Sequence, residues 1–392
     1  MRVAILGPFS PTMVADCIRT SSGGPASLPA GTGGTNIVNL VRARLSRGLE
    51  TDVITLDPGL STNICRWEGV NLKLWVVRRR SRHALRDGFR SERRLLHEAL
   101  RQSSAQVCHA HWTYEYGAAA VTQHLMPHVV SVHDHAGHVL RWADLRYLGL
   151  YILARLVLNR ARSLSAVSPY VAEYVSGIVH KPVPVVPNIL SNMVWTSTVP
   201  APDRTSDSPT VISAVNWSRL KNVKTALRAF RLLREAVPGV RYSLLGPGLE
   251  SGGPGHRWAA RFGLSESVEF LGCLPHETTL KLIRQSTVLL HPSMEEASPG
   301  AVSEAMALRT PVVACSEAGG SAWLLDNGRA GVLTAGTDPT QMAGAIEKII
   351  RDTDASRRLT EHAFHRIGAL CNEDTVLGGY EEIYARAASE FT

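Results

Sequence analysis

The chain has 392 residues, of which 44% are hydrophobic and 19% charged. That composition excludes a disordered chain and leaves room for two domains of ordinary size. No apolar run is long enough to span a bilayer. Six scattered cysteines without a CxxC pair argue against a zinc ribbon or disulfide scaffold and fit a reducing cytoplasm.

In chain order, residues 3–6 read as a first strand and lack the apolar core of a signal peptide. The stretch 8–29 is expected to be a mobile loop that closes over substrate. It leads into Gly31-Thr32-Gly33-Gly34-Thr35-Asn36 and a helix over 37–47. Glycines there permit close backbone approach, and the helix dipole favours an anion. Strands follow over 52–56, 72–77, 105–109, 128–132, 164–167 and 183–186, with an apolar, aromatic and basic run over 139–162. Residues 196–209, rich in Pro, Ser, Thr and Asp, read as a linker. A second series then runs through strands 210–215, 240–246, 268–272, 287–290, 310–314 and 331–333. Its helices fall over 223–237, 340–352 and 355–369, and a last one over 374–391 has Tyr380 and Tyr384 as packing residues. Such alternation implies parallel strands with crossover helices.

The net charge of +8 is unevenly placed. Residues 1–195 hold 22 Lys+Arg and 12 Asp+Glu, so +10; the rest hold 42 − 22 = 20 against 34 − 12 = 22, so −2. The arginines from Arg78 to Arg94 supply much of the excess. They read either as a solvated face or as a surface for anionic lipid headgroups or a phosphorylated acceptor. Nucleic acid is not expected, because no aromatic interleaving accompanies them.

Residues 291–307 carry most of the chemistry. An apolar strand ends in His291-Pro292-Ser293, and a loop holding Glu296, Ser298 and Gly300 leads to a helix with Glu304. The two carboxylates stand 304 − 296 = 8 residues apart. A strand end, free amides and a helix N-terminus suit an anionic group, and carboxylates accept hydrogen bonds from sugar hydroxyls. Together they point to a nucleotide-sugar.

This stretch resembles the donor motif of the retaining glycosyltransferases of family 4, which have the GT-B fold. The match includes Pro292, Ser293, Glu296, Glu304, Ala305, Met306 and Pro311-Val312-Val313. It departs where Ala297-Ser298-Pro299-Gly300 replaces Gly-Phe-Gly, and Pro299 brings no amide hydrogen.

The resemblance implies an α/β GT-B fold of two Rossmann-like domains facing across a cleft. It divides the chain into an acceptor domain (1–195), a nucleotide-sugar domain (196–373) and a last helix (374–392) crossing back to the first domain. It places Gly33 and Gly34 by the donor phosphates and the acceptor, and His133, after a strand in the pattern Ser-x-His-Asp, at the donor sugar. Lys221 is implied to neutralise the leaving diphosphate. Arg219 is a candidate second cation, because Asn216 stands where the family has arginine. The loop with Gly272 and Leu274 is implied to read the base through its backbone. Glu296 would hold donor-sugar hydroxyls and Glu304 the ribose, with Ser298 and Gly300 beside them.

An acceptor pocket is expected from His109, His111, Trp112, Tyr114 and Glu115. His109 and His111 are taken to diverge to opposite sides of their strand, which argues against joint chelation. Neither His135 with His138 nor Asp352-Thr353-Asp354 reads as a metal site, and no metal or other cofactor is expected.

The expected activity is transfer of a hexose-type unit, with retention, from a nucleoside-diphosphate sugar to an alcohol of a glycan, glycolipid or small glycoside. Rival readings are a GT-B epimerase or phosphorylase and a non-catalytic sugar-nucleotide binder. A cytoplasmic enzyme is expected. The run 139–162 reads as a core-facing helix or as a patch for an anionic membrane.

Overall fold

The structure, a computed structural model, describes residues 1–19, 28–142, 146–196 and 208–391, without the side chains of residues 142, 146 and 196. Most of the expected linker and part of the loop 8–29 fall outside the described residues. The chain forms two compact units, one of Met1–Leu140, Asp144–Ile189 and Glu373–Thr392, the other of Arg141–Ala143 and Leu190–Asn372.

The first unit is built on an eight-stranded sheet. Its strands are β1 (Val3–Leu6), β2 (Ile18–Arg19), β3 (Thr51–Asp57), β4 (Ile64–Gly69), β5 (Leu72–Arg78), β6 (Val107–His111), β7 (His128–Val132) and β8 (Ser163–Ala166). They lie in the order β2-β4-β5-β3-β1-β6-β7-β8. All neighbours from β5 to β8 are parallel, whereas β4 pairs antiparallel with β5 and β2 with β4. The parallel strands β1, β3, β6, β7 and β8 are buried along their whole length, as strands covered on both faces must be.

Strands β2 and β4 have no counterpart in the sequence reading. β4, Ile-Cys-Arg-Trp-Glu-Gly, is half-exposed and carries no continuous apolar run. The strand expected over 183–186 is corrected to a single bridge between Val185 and Ala166. The prolines at 182, 184 and 187 withhold the amides a ladder needs. The strand expected over 105–109 lies two residues later.

The last helix, Glu373–Ser389, belongs to the first unit. Tyr380 and Tyr384 are buried as expected, with stacked rings 5.9 Å apart. Tyr384 Oη meets His109 Nδ1 at 2.7 Å, and His109 Nε2 meets Ser131 Oγ at 2.7 Å. Tyr384→Phe is expected to leave a buried imidazole nitrogen unpaired and to cost about 1–3 kcal/mol. An unchanged urea midpoint would show that this bond contributes nothing.

The second unit has a six-stranded, wholly parallel sheet. Its strands are β9 (Thr210–Ala214), β10 (Arg241–Leu245), β11 (Val268–Gly272), β12 (Val288–His291), β13 (Val312–Cys315) and β14 (Val332–Thr334), in the order β11-β10-β9-β12-β13-β14. The chain winds outward from β9 in one direction and from β12 in the other. The switch point therefore lies between these two neighbours, where α/β sheets bind ligands at the carboxyl ends of their strands. Helix starts are explicit in sequence: Asp338 caps Pro339–Arg351, and Asp352 caps Thr353–Leu370 by accepting from the Ala355 amide at 2.8 Å. Asp352 thus serves as a helix cap.

The apolar run divides into helices Ala136–Trp142 and Arg146–Arg160. Ala154, Val157 and Leu158 are buried, but Leu148, Ile152 and Leu156 are 45%, 51% and 45% exposed. These three stand four residues apart and share one outward face. Among the described residues no helix is long and apolar enough to cross a membrane.

Candidate active site

The loops that follow β9 and β12 flank the switch point of the second unit. The first carries Asn216, Arg219 and Lys221; the second carries Glu296. A backbone bond from Met294 N to Leu220 O, 2.9 Å, ties the loops together. The Asn222 amide nitrogen Nδ2 donates to Gly336 O at 2.7 Å.

Glu296 Oε1 accepts from Lys221 Nζ at 2.5 Å and faces His291 Nε2 at 2.8 Å. Burial works to raise the pKa of Glu296, but His291 and Lys221 outweigh it and hold the carboxyl at about 2. The folded value lies below the ordinary 4.5. The resulting stabilisation is therefore complete above that value and is lost as pH falls through about 2, on the order of 3 kcal/mol. Glu296→Gln is expected to flatten the acid limb of stability over this window. An identical limb in urea melts at stepped pH would contradict the ion-pair account.

The loop after β12 is held closely. Gly320 N donates to Glu296 O at 2.8 Å, and a Cβ on Gly320 would lie 2.1 Å from Ala297 O. Pro299 is the N-cap of helix Gly300–Ala307, and no side chain caps that helix. Its lost amide hydrogen therefore costs the site little, because the first-turn donors of a helix lie beyond the cap residue. Ser298 is half-buried and Gly300 exposed.

Glu304, on this helix, accepts from His276 Nε2 at 2.7 Å, and that bond raises the pKa of His276. His276 follows the loop of Gly272 and Leu274. Gly272 has φ of +64° and lies against Glu250, and Leu274 packs on the core of this unit. The structure thus brings Lys221 onto Glu296 and keeps Glu304 on a separate partner. Asn216 and Arg219 are exposed beside them. The two histidines that hold the glutamates had no role in the sequence reading. His291 opens the motif itself, but nothing local marks His276.

In the first unit, Gly33 and Gly34 both have positive φ and lead into helix Thr35–Ser46. The histidines of β6 require a correction. Residues i and i+2 of a strand share a face, and the rings of His109 and His111 lie 4.2 Å apart. His109 is fully buried with both nitrogens engaged, so it is a core residue and not a lining of the acceptor pocket. His111 Nδ1 meets His133 Nε2 at 2.8 Å, and Trp112, at φ +68°, stacks on His133 at 4.2 Å. Burial lowers the pKa of His133 to about 3, so its ring is neutral near pH 7 and can offer hydrogen bonds but no charge.

Tyr114 donates to Asp134 Oδ2 at 2.7 Å, and burial pushes Asp134 up to about 6. Tyr114 and Glu115 line a cavity of about 720 Å³ together with Arg79, Arg80, Arg82 and His83. Arg80 is held by Asp87 and Glu92 at 2.8 and 2.6 Å, and Arg79 by Glu115 at 3.1 Å. Part of the arginine cluster is thus built into this pocket. Among the described residues no group of three or more His, Cys, Asp or Glu could hold a metal ion.

Each unit is an α/β fold with a parallel sheet core, and in the second unit basic and acidic side chains converge on the switch point. Residues 31–188 match the family described as glycosyl transferase 4-like domain, and residues 199–366 match glycosyl transferases group 1. The chain belongs to these family 4, GT-B glycosyltransferases.

A D-inositol 3-phosphate glycosyltransferase of Corynebacterium jeikeium is 32% identical over 151 residues, 37% of this chain and 36% of the relative. One of Streptomyces avermitilis is 30% identical over 178 residues, 43% of this chain and 38% of the relative. The matched part thus spans well under half of either relative. Sucrose-phosphate synthase of Thermosynechococcus elongatus superposes with a TM-score of 0.73 at 17% identity over 99% of both chains. HepE of Anabaena, solved with UDP and glucose, does so at 0.69 and 18% identity, over 98% of this chain and all of that one.

Proposed function

We propose that this chain is a retaining glycosyltransferase that moves a sugar from a nucleoside-diphosphate sugar to an alcohol acceptor without a metal ion. The observation that carries the reading is the Lys221–Glu296–His291 group at the switch point, beside a helix N-terminus with no side-chain cap. Lys221 and the helix amides stabilise charge that builds on the departing diphosphate. Glu296 accepts from donor-sugar hydroxyls and Glu304 from the ribose. Arg219 and Asn216 assist at the phosphates, Gly272 and Leu274 at the base, and Ser298 and Gly300 at the sugar. For Gly33, Gly34 and His133 we retain the donor roles that the resemblance implies.

The acceptor is assigned to the pocket of Arg79, Arg82, Tyr114 and Glu115. Its charge suits an acceptor that bears a phosphate, in keeping with the inositol 3-phosphate named for the relatives. A peripheral contact with an anionic membrane is supported by the exposed Leu148–Ile152–Leu156 face in a basic half of the chain.

A thermal-shift screen against nucleoside-diphosphate sugars, with Lys221→Ala and Glu304→Ala alongside, tests the donor site. A ligand that binds only the folded state raises the melting temperature. A shift with one base, lost in Lys221→Ala and reduced in Glu304→Ala, is expected; no shift with any nucleotide sinks the reading. Turnover in EDTA and the anomeric configuration of the product test the metal-free, retaining chemistry. Donor consumption that needs no acceptor would favour an epimerase. Failure to sediment with anionic liposomes at low salt removes the membrane contact.

A further inference from the structure

Glu304 is a flexible side chain on a short helix, and a carboxylate that must meet a ribose is only useful if it is already aimed. An unrestrained Glu loses up to about 2 kcal/mol of rotamer freedom when it is fixed. His276 Nε2 holds Glu304 Oε1 at 2.7 Å, and the side chains are 30% and 16% exposed. No other hydrogen bond to this carboxylate is present among the described residues. The remaining lone pairs of the two oxygens are therefore left for hydroxyls.

The position of His276 in the chain adds to this. It is the first residue of helix His276–Gln285 and directly follows the turn after β11, where Gly272 N bonds Leu249 O at 3.1 Å and Gly272 O accepts from Gly246 N at 2.8 Å. The backbone before His276 is thus anchored to the sheet. Its ring joins the loop after β11 to the helix after β12, two segments that approach only through the fold. A helix N-terminus is an unfavourable place for a cation, yet the bond to Glu304 favours the protonated imidazole.

We infer that His276 is a positioning residue that aims the Glu304 carboxylate and thereby sets the preference of the donor site for ribose over deoxyribose. This rests on the reading that Glu304 meets the ribose. His276 touches neither sugar nor phosphate; it acts through Glu304. A loss of the His276 bond leaves the carboxylate free to turn to solvent, so the hydroxyl contact weakens while base and phosphate contacts stay.

The test measures the affinity of the whole protein for UDP, ADP and GDP, each against its 2′-deoxy and 3′-deoxy forms, by calorimetry. The best ribonucleotide is expected to bind about tenfold more tightly than one of its deoxy forms, the size of one hydrogen bond to a charged acceptor. Glu304→Ala is expected to abolish that ratio. His276→Leu is expected to reduce it to about threefold or less, and His276→Gln, which restores a donor of similar reach, to recover it. His276→Asn, too short to reach, is the second loss variant if the leucine variant melts early.

A full ratio in His276→Leu and His276→Asn with a lost ratio in Glu304→Ala overturns the role of His276 and leaves the Glu304 reading standing. An equal loss of affinity for ribo- and deoxynucleotides in the His276 variants also overturns it, because that is the mark of a merely structural contact. A ratio that survives Glu304→Ala, or no ratio in the unmodified protein, removes the Glu304 reading itself.

Discussion

Replacing Lys221 by alanine is expected to lower kcat/KM for sugar transfer by about 10²–10³-fold, the usual loss when one preplaced charge-stabilising group is removed. The ammonium is held against Glu296 at 2.5 Å, so it does not have to be organised when the diphosphate leaves. The same change takes one of two partners from the Glu296 carboxylate, while His291 at 2.8 Å remains. The variant should therefore fold, and its urea midpoint should fall by less than that of a variant lacking both partners. Lys221→Arg keeps the charge and is expected to retain far more activity. Initial rates with a saturating acceptor decide the matter. A Lys221→Ala enzyme that turns over within about threefold of the unmodified protein would remove Lys221 from the chemistry.

Gly34→Ala is expected to be the most damaging single-methyl addition near the first strand. Gly34 has φ of +90°, and a Cβ there would lie 1.8 Å from the Pro8 carbonyl oxygen and 2.6 Å from its carbon. Both atoms are backbone and cannot turn aside. The Gly34 carbonyl also accepts from the Ile37 and Val38 amides at the start of the following helix, so movement of this residue unseats the helix as well. The expected loss is on the order of 3–5 kcal/mol. Gly33→Ala is the control: φ is +91°, but nothing lies within 4 Å of the added Cβ, so only the backbone strain of about 1–2 kcal/mol applies. Paired urea melts measure the difference. Equal midpoints would mean that the loop shifts to absorb the collision.

The strands and helices that the sequence shows plainly are those with a local reason. β7 and β11 start and end where their apolar runs do, and Asp338-Pro339 and Asp352 announce their helices by cap chemistry that a few residues suffice to state. The loop of Glu296 and the helix of Glu304 were legible for the same reason, because strand, loop and helix follow one another within seventeen residues of chain. β2 and β4 were not legible, since their pairing is antiparallel at a sheet edge and their side chains are only half-buried. Residues 183–186 misled because alternating valine and proline looks apolar enough for a strand, while proline cannot donate to one.

The partners of the site were beyond local reading. His276 and Glu304 are 304 − 276 = 28 residues apart, and Lys221 and Glu296 are 296 − 221 = 75 apart. Each pair meets only because parallel strands return the chain to the same edge of the sheet. His109 looked like a pocket residue for the converse reason: its neighbours in sequence are polar and aromatic, but the last helix closes over it with Tyr384. Sequence by itself determined the two α/β series and their order and singled out Glu296, Glu304 and Lys221 as candidates for the chemistry, because those depend on residue type and short-range spacing. Only the tertiary structure decided which histidine holds which carboxylate and which histidine is core. Those depend on contacts between strand ends far apart in the chain, where packing and burial, not spacing, select the partner.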